Sequence, residues 1–366
     1  MSLLNNLFVR AARSFAAPPS GHPVRFVGRA ILIVPVFCAL FWSAAALWID
    51  GPESELLAGG LVAALLLLWC AVMLFIRPFW RSVLAMLLLV ALVWGWWLTL
   101  APSNDREWLE DVAQLPVATL NGSQLTINNV RTYGELGNPE STLDWTTQTY
   151  DLDELIGFDI VLSFWGPSAY GHTMTSWEFA DGRHLTVSIE TRKEKSEEYS
   201  AVRGFFRQFE LYYVVASEAD LIALRTRYRG EQVELYRVFT PDDGAKAMLL
   251  DYVKDINELA AKPRWYNAVI ANCTTLIWRH AKAIGSSFPL DWRLLANGFV
   301  VELGYELGTV NNTMSYPELR AASDITERAV QAADNLSSAQ EFSRAIRVGL
   351  PERPSEILRR SLRYES

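Results

Sequence analysis

The sequence predicts an α+β domain set behind three membrane-spanning helices. Three observations lead there. Residues 30–49, 56–76 and 82–101 are apolar runs of roughly twenty residues each, long enough to cross a hydrocarbon core of about 30 Å. Beyond them, short alternating segments separated by turn residues read as strands. Between and after those strands lie an amphipathic helix over 241–261 and a capped helix opening at Cys273.

The apolar runs come first. Arg10, Arg13, Arg25 and Arg29 precede them, in a segment 1–29 without acids. Asp50, Glu53 and Glu55 separate the first two runs, and Arg77 and Arg81 separate the second from the third. The positive-inside rule then places segment 1–29 in the cytoplasm and everything after Pro102 outside it. A cleaved signal peptide fits poorly, because the first run starts late and two more follow. The expected layout is a cytoplasmic segment 1–29, three transmembrane helices within 30–101, a soluble domain over 102–351 and a polar tail over 352–366.

The soluble part reads in order. Val117 to Leu120 and Gln124 to Asn128 flank Asn121-Gly122-Ser123, a hairpin signal. Leu143 to Tyr150 and Phe158 to Phe164 read as further strands. His172 to Phe179 and His184 to Glu190 form a second hairpin around Ala180-Asp181-Gly182. Glu210 to Val215 and Gln232 to Phe239 complete the strands, with a helix from Ser217 to Tyr228 between them. Leu294 to Leu307 looks helical, and the chain beyond Asn311 is polar.

Composition narrows the function. The chain has 366 residues, 51% hydrophobic, with a net charge of −8, and this acidic balance speaks against a nucleic-acid partner. Cys38 and Cys70 fall inside apolar runs, which leaves Cys273 without a disulfide partner in the soluble part. No CxxC or HxxxH spacing is present, so neither a metal nor a cofactor is expected.

Cys273 is the candidate nucleophile. Asn272 reads as the N-cap of a helix that Gly285 ends, so the thiol sits in the first turn. There the helix dipole favours a thiolate, and free N–H groups can hold an oxyanion. Of four histidines, His22 precedes the first crossing. His280 lies about 10 Å along the same helix, too far to bond the sulfur. In the second hairpin, a three-residue loop makes Phe179 face Arg183, Met174 face Ser188, His184 face Glu178 and His172 face Glu190. His172 is then the candidate base, with Glu190 beside it to orient the ring. Cys273 and His172 are expected to meet in a cleft. The residues alone leave a structural, buried Cys273 open as well.

A resemblance adds to this reading. Ser163-Phe164-Trp165-Gly166, His172-Thr173, Ser188 to Glu194, Phe205 to Gln208, Pro263 to Asn267 and Asn272 to Thr275 resemble the Lnb N-terminal periplasmic domain family, over about Ser103 to Pro351. The order of parts is also similar to circularly permuted papain-like (NlpC-type) enzymes, including the lecithin:retinol acyltransferase group, in which the histidine strand precedes an Asn-Cys helix start. The resemblance implies a papain-like domain with an antiparallel sheet and packed helices. It matches His172 to the base, Cys273 to the nucleophile and Glu190 to the polar third residue. It implies thiol-dependent acyl transfer, or amide or ester hydrolysis, at the periplasmic side of the inner membrane. The substrate would be amphiphilic or envelope-bound: a lipoprotein, a phospholipid or a peptidoglycan peptide. In the acyltransferase that gave the family its name, however, membrane helices follow the domain, whereas here the apolar runs precede it. A cysteine peptidase or amidase and a non-catalytic binding module are the alternatives.

Overall fold

A computed structural model describes residues 23–240, 243–336 and 338–354. Segment 1–29 and the tail 352–366 lie for the most part outside the described residues. The chain divides into two compact units, one comprising the residues up to Ala101 with Phe206–Gln208, the other Pro102–Phe205 with the residues from Phe209 onward.

Among the described residues the first unit holds three helices, α1 (Pro23–Ile49), α2 (Glu55–Phe75) and α3 (Phe79–Thr99). Among the described residues two of them, α2 and α3, are long and apolar enough to cross a membrane, not three as the apolar runs predict. The described apolar stretch of α1 is Ile33–Ile49, 17 residues. In the loop after α1, Asp50 accepts a hydrogen bond from the Trp97 indole N–H at 2.6 Å.

The second unit is built on an eight-stranded sheet. Its strands are β1 (Val117–Asn121), β2 (Gln124–Tyr133), β3 (Leu143–Asp151), β4 (Leu155–Phe164), β5 (His172–Phe179), β6 (His184–Arg192), β7 (Glu210–Ala216) and β8 (Gln232–Arg237). They run in the order β1-β2-β7-β6-β5-β4-β8, with β3 also paired to β2. An antiparallel sheet was expected; one parallel junction, Arg131 of β2 against Ala216 of β7, makes it mixed. The β5–β6 hairpin has the register read from its loop, with Met174 opposite Ser188 and Glu178 opposite His184. Its loop closes through Gly182 at φ +82°, a backbone angle that suits glycine.

Helices cover both faces. Leu211, Tyr213 and Val215 of β7 join one core, which includes Met248 and Tyr252 of α5 (Gly244–Ala261), Leu276 of α6 (Cys273–Ala283) and Val301 of α7 (Val300–Glu306). Tyr212, Val214 and Ala216 join the other, with Leu221 of α4 (Glu218–Ala223), Ala329 of α9 (Thr326–Asn335) and Phe342 of α10 (Ala339–Ile346). A further helix, α8 (Tyr316–Ser323), precedes these last two. Between Tyr316 and Ile346 the described chain therefore forms three helices. Its polar composition hides a narrow apolar stripe of small residues, enough to seal a sheet face. The expected helix over Leu294–Leu307 is broken into two short 3-10 turns and α7.

The second face also carries buried charge. Arg347, in the turn after α10, reaches Asp159 at 2.7 Å and Glu218 at 2.6 Å, and both carboxylates are fully buried. Burial alone would raise the Glu218 carboxyl; the Arg347 guanidinium, with His184 and hydrogen bonds, outweighs it and holds the group at about 2. A depressed carboxyl contributes stability that is present above its unfolded value and lost as pH falls toward 2. Replacing Arg347 by Met takes the guanidinium from the buried Glu218 while Asp159 keeps Arg353 at 2.8 Å, and a loss of about 3 kcal/mol is expected in denaturant melts at neutral pH.

Candidate functional site

Cys273 opens α6 in the way its sequence context predicts. Asn272 is extended, its side chain accepts the Thr275 N–H at 2.8 Å, and the Thr275 hydroxyl accepts the Asn272 N–H at 3.0 Å. The Asn272 amide also donates to the Ala268 carbonyl at 2.7 Å, which fixes the entry into the helix. This reciprocal cap satisfies free backbone donors and points the first turn at the sheet. Cys273 is buried there, 5% exposed.

A second asparagine ties that turn to β5. The Asn297 amide nitrogen lies 2.6 Å from the Gly171 carbonyl, 3.0 Å from the Thr274 hydroxyl and 3.7 Å from the Cys273 sulfur. Its oxygen accepts the Gly171 N–H at 2.9 Å. The Thr173 and Thr274 hydroxyls meet at 2.9 Å. A Cβ at Gly298 would collide with the Ser168 carbonyl, so only glycine lets this loop close against residues 168–171. Burial pushes the Cys273 thiol above its ordinary value, and hydrogen bonds from the Thr173 main chain and from Thr274 offset only part of the rise. The thiolate favoured by the helix dipole is therefore not the resting form.

His172 belongs to a different cluster. Its Nε2 is 2.6 Å from the Ser188 hydroxyl, which donates to Glu190 Oε1 at 2.7 Å; the ring and the carboxylate are 3.7 Å apart. Arg225 donates to the same Glu190 oxygen at 2.7 Å and reaches Glu231 at 3.4 Å, and Glu231 in turn meets the Ser163 hydroxyl. Burial would raise the Glu190 carboxyl, but Arg225 holds it well below the carboxylate range. An ionised carboxylate only accepts, so Ser188 spends its one proton on Glu190 and its oxygen accepts from Nε2–H. His172 Nδ1 is left with the lone pair. Burial first, then the Arg225 charge, lowers the His172 imidazole to about 3, against a partial opposing pull from Glu190.

The expected meeting of Cys273 and His172 is not what the structure shows. No hydrogen bond joins the two among the described residues. On β5 and β6, Trp177, Phe179, Leu185, Val187 and Ile189 point to the face that holds Cys273. Met174 points to the other, and by alternation so do His172, Ser188 and Glu190. The sulfur lies against the main chain of Thr173, and the imidazole leaves the strand one residue earlier on the opposite side.

Sequence reasoning missed Ser188, Arg225 and Asn297. Ser188 had a signal, two positions before Glu190 and hence on the same face. Arg225 and Asn297 had none, since only tertiary contact brings them in. His184 approaches Glu218 at 4.0 Å, and His280 bonds Asp251 at 2.7 Å and Tyr213 at 2.9 Å. His22 lies outside the described residues. No cluster of three or more His, Cys, Asp or Glu with metal-holding geometry occurs among the described residues.

Beside the Cys273 turn is an apolar cavity of about 700 Å³. Thr173 and Thr274 line it, with Ile160, Ile277, Trp278 and Val301 among the apolar walls.

An imidazole whose value falls from 6.5 to about 3 on folding binds its proton more readily in the unfolded chain. Stability therefore rises with pH between those values and is lost on acidification. Nitrogen-15 spectra of the His172 ring should show Nε2 protonated and Nδ1 bare from pH 5 to 8; a titration near 6.5 would contradict the assignment.

No curated protein and no solved structure matches the chain. Residues 141–298, the stretch that carries Cys273, His172, Glu190 and Asn297, match the family model of the Lnb N-terminal periplasmic domain.

Proposed function

We propose that the protein is a membrane-tethered, periplasmic-facing domain that performs thiol-dependent acyl transfer, or amide or ester hydrolysis, on an amphiphilic substrate of the cell envelope. The supporting observation is the clasp at the start of β5. Asn297 and Thr274 bind the turn of Cys273 to Gly171–Thr173, the segment from which His172 projects. The proposed roles are Cys273 as nucleophile, His172 as base and Glu190 as the residue that positions the ring through Ser188. The permuted papain-like order of strand and helix is part of the same proposal, as is a multi-pass anchor in the inner membrane.

In this scheme the Cys273 proton passes to His172 Nδ1 as the sulfur attacks a carbonyl carbon. The leaving group takes the proton, and a thioester remains on Cys273. An amine or water then resolves it. The scheme requires the His172 ring to leave Ser188 and reach the sulfur around the end of β5. The apolar cavity beside Thr274 suits a hydrocarbon chain better than a peptide, which favours acyl groups over peptidoglycan peptides.

A second reading is a non-catalytic binding module with the same cavity and an inert thiol. The opposed faces and the raised thiol favour it. One experiment separates the two. Full-length protein is incubated with a medium-chain p-nitrophenyl ester, and the Cys273 peptide is analysed by mass spectrometry. Acyl transfer predicts a hydroxylamine-labile adduct on Cys273, absent in Cys273→Ala and formed roughly 10²–10⁴ times more slowly in His172→Ala. No adduct on the native protein, or an unchanged rate in His172→Ala, leaves the binding module.

The resting thiol also gives a pH prediction. Because burial raises the thiol above its ordinary value, alkylation of Cys273 by iodoacetamide should still be climbing at a pH where an ordinary free thiol has reached its plateau.

A further inference from the structure

A separate cleft of about 1060 Å³ opens on the far side of the π-turn Leu224–Tyr228 whose Arg225 holds Glu190. It lies between the Leu109–Ala113 segment, the β2–β3 hairpin and that turn. Tyr133, Trp145 and Tyr228 contribute aromatic surface, and Asp111, Lys195 and Arg229 contribute charge of both signs. Isolated π-turns mark functional sites more often than chance, because the extra residue re-aims side chains.

The polar groups here are unspent. Among the described residues, the Tyr133 hydroxyl, the Trp145 indole N–H, the Asp111 carboxylate and the Lys195 ammonium have no hydrogen-bond or ion-pair partner in the protein. Tyr133 is 8% exposed as a residue and lines the cleft. Arg229 has one distant partner, Glu231 at 3.9 Å. Donors and acceptors of opposite charge mixed on one wall do not select a ligand of either net charge. They suit a neutral molecule that both gives and accepts hydrogen bonds at many points. Aromatic rings suit one that also offers flat, weakly polar C–H faces. Linked pyranose rings have both properties, and the volume holds two or three of them.

We propose that this cleft binds a neutral oligosaccharide. The site is independent of the Cys273 chemistry, and neither reading fails with the other. The test uses full-length protein in nanodiscs, free of sugar-headed detergent. Chitotriose, maltotriose and cellotriose are titrated separately by calorimetry, with trialanine as the peptide control. Saturable binding of at least one sugar is expected, weakened at least tenfold in Trp145→Ala and at least fivefold in Asp111→Asn. Lys195→Gln, at an exposed position, serves as the variant least able to disturb folding and should weaken binding at least threefold. Absence of saturable binding by all three sugars, binding indifferent to all three substitutions, or trialanine competing at equal affinity would each overturn the proposal.

Discussion

The candidate site depends on one side-chain amide answering one backbone unit. Asn297 satisfies both the N–H and the carbonyl of Gly171, the residue before β5 begins. Those two groups have no strand partner at that position, and buried backbone polar groups left unpaired cost about as much as a lost hydrogen bond. By closing them, Asn297 sets where β5 starts. That start fixes Thr173 against Thr274 and seats the sulfur of Cys273 beside it. The capped turn of α6 would otherwise have the right local chemistry with nothing to face.

The other side of the strand is governed by charge. Arg225 binds Glu190 and Glu231 together and holds the Glu190 carboxyl well below the carboxylate range. The ionised Glu190 commits the Ser188 proton, and Ser188 commits the His172 tautomer. A buried imidazole next to a guanidinium stays neutral, which suits a group that receives a proton and does not suit one that stabilises an anion by its own charge. The arrangement thus makes His172 a weak but permanently available acceptor.

Local features were legible in the sequence, and long-range ones were not. The Asn272 cap, the Gly182 loop and the Met174–Ser188 register all follow from neighbours within a few residues, and each is present. The closeness of Glu190 to His172 came from the same register. The face on which the pair lies did not, because β5 and β6 are buried on both sides and the alternation that usually marks a wet face is absent. The C-terminal helices escaped for a related reason. Ala329, Ala332, Phe342 and Ile346 give a stripe too thin to stand out from a polar background, and only the sheet they cover reveals its purpose.

β7 is closed in by helices above and below, and every one of its seven residues is buried. β3, at the margin of the same sheet, has only Tyr150 fully buried. Tolerance to substitution must therefore be distributed very unevenly along one sheet. Random mutagenesis of this protein should find β3 permissive and β7 nearly silent in survivors, so that drift in the sequence accumulates at the rim while its centre stays fixed.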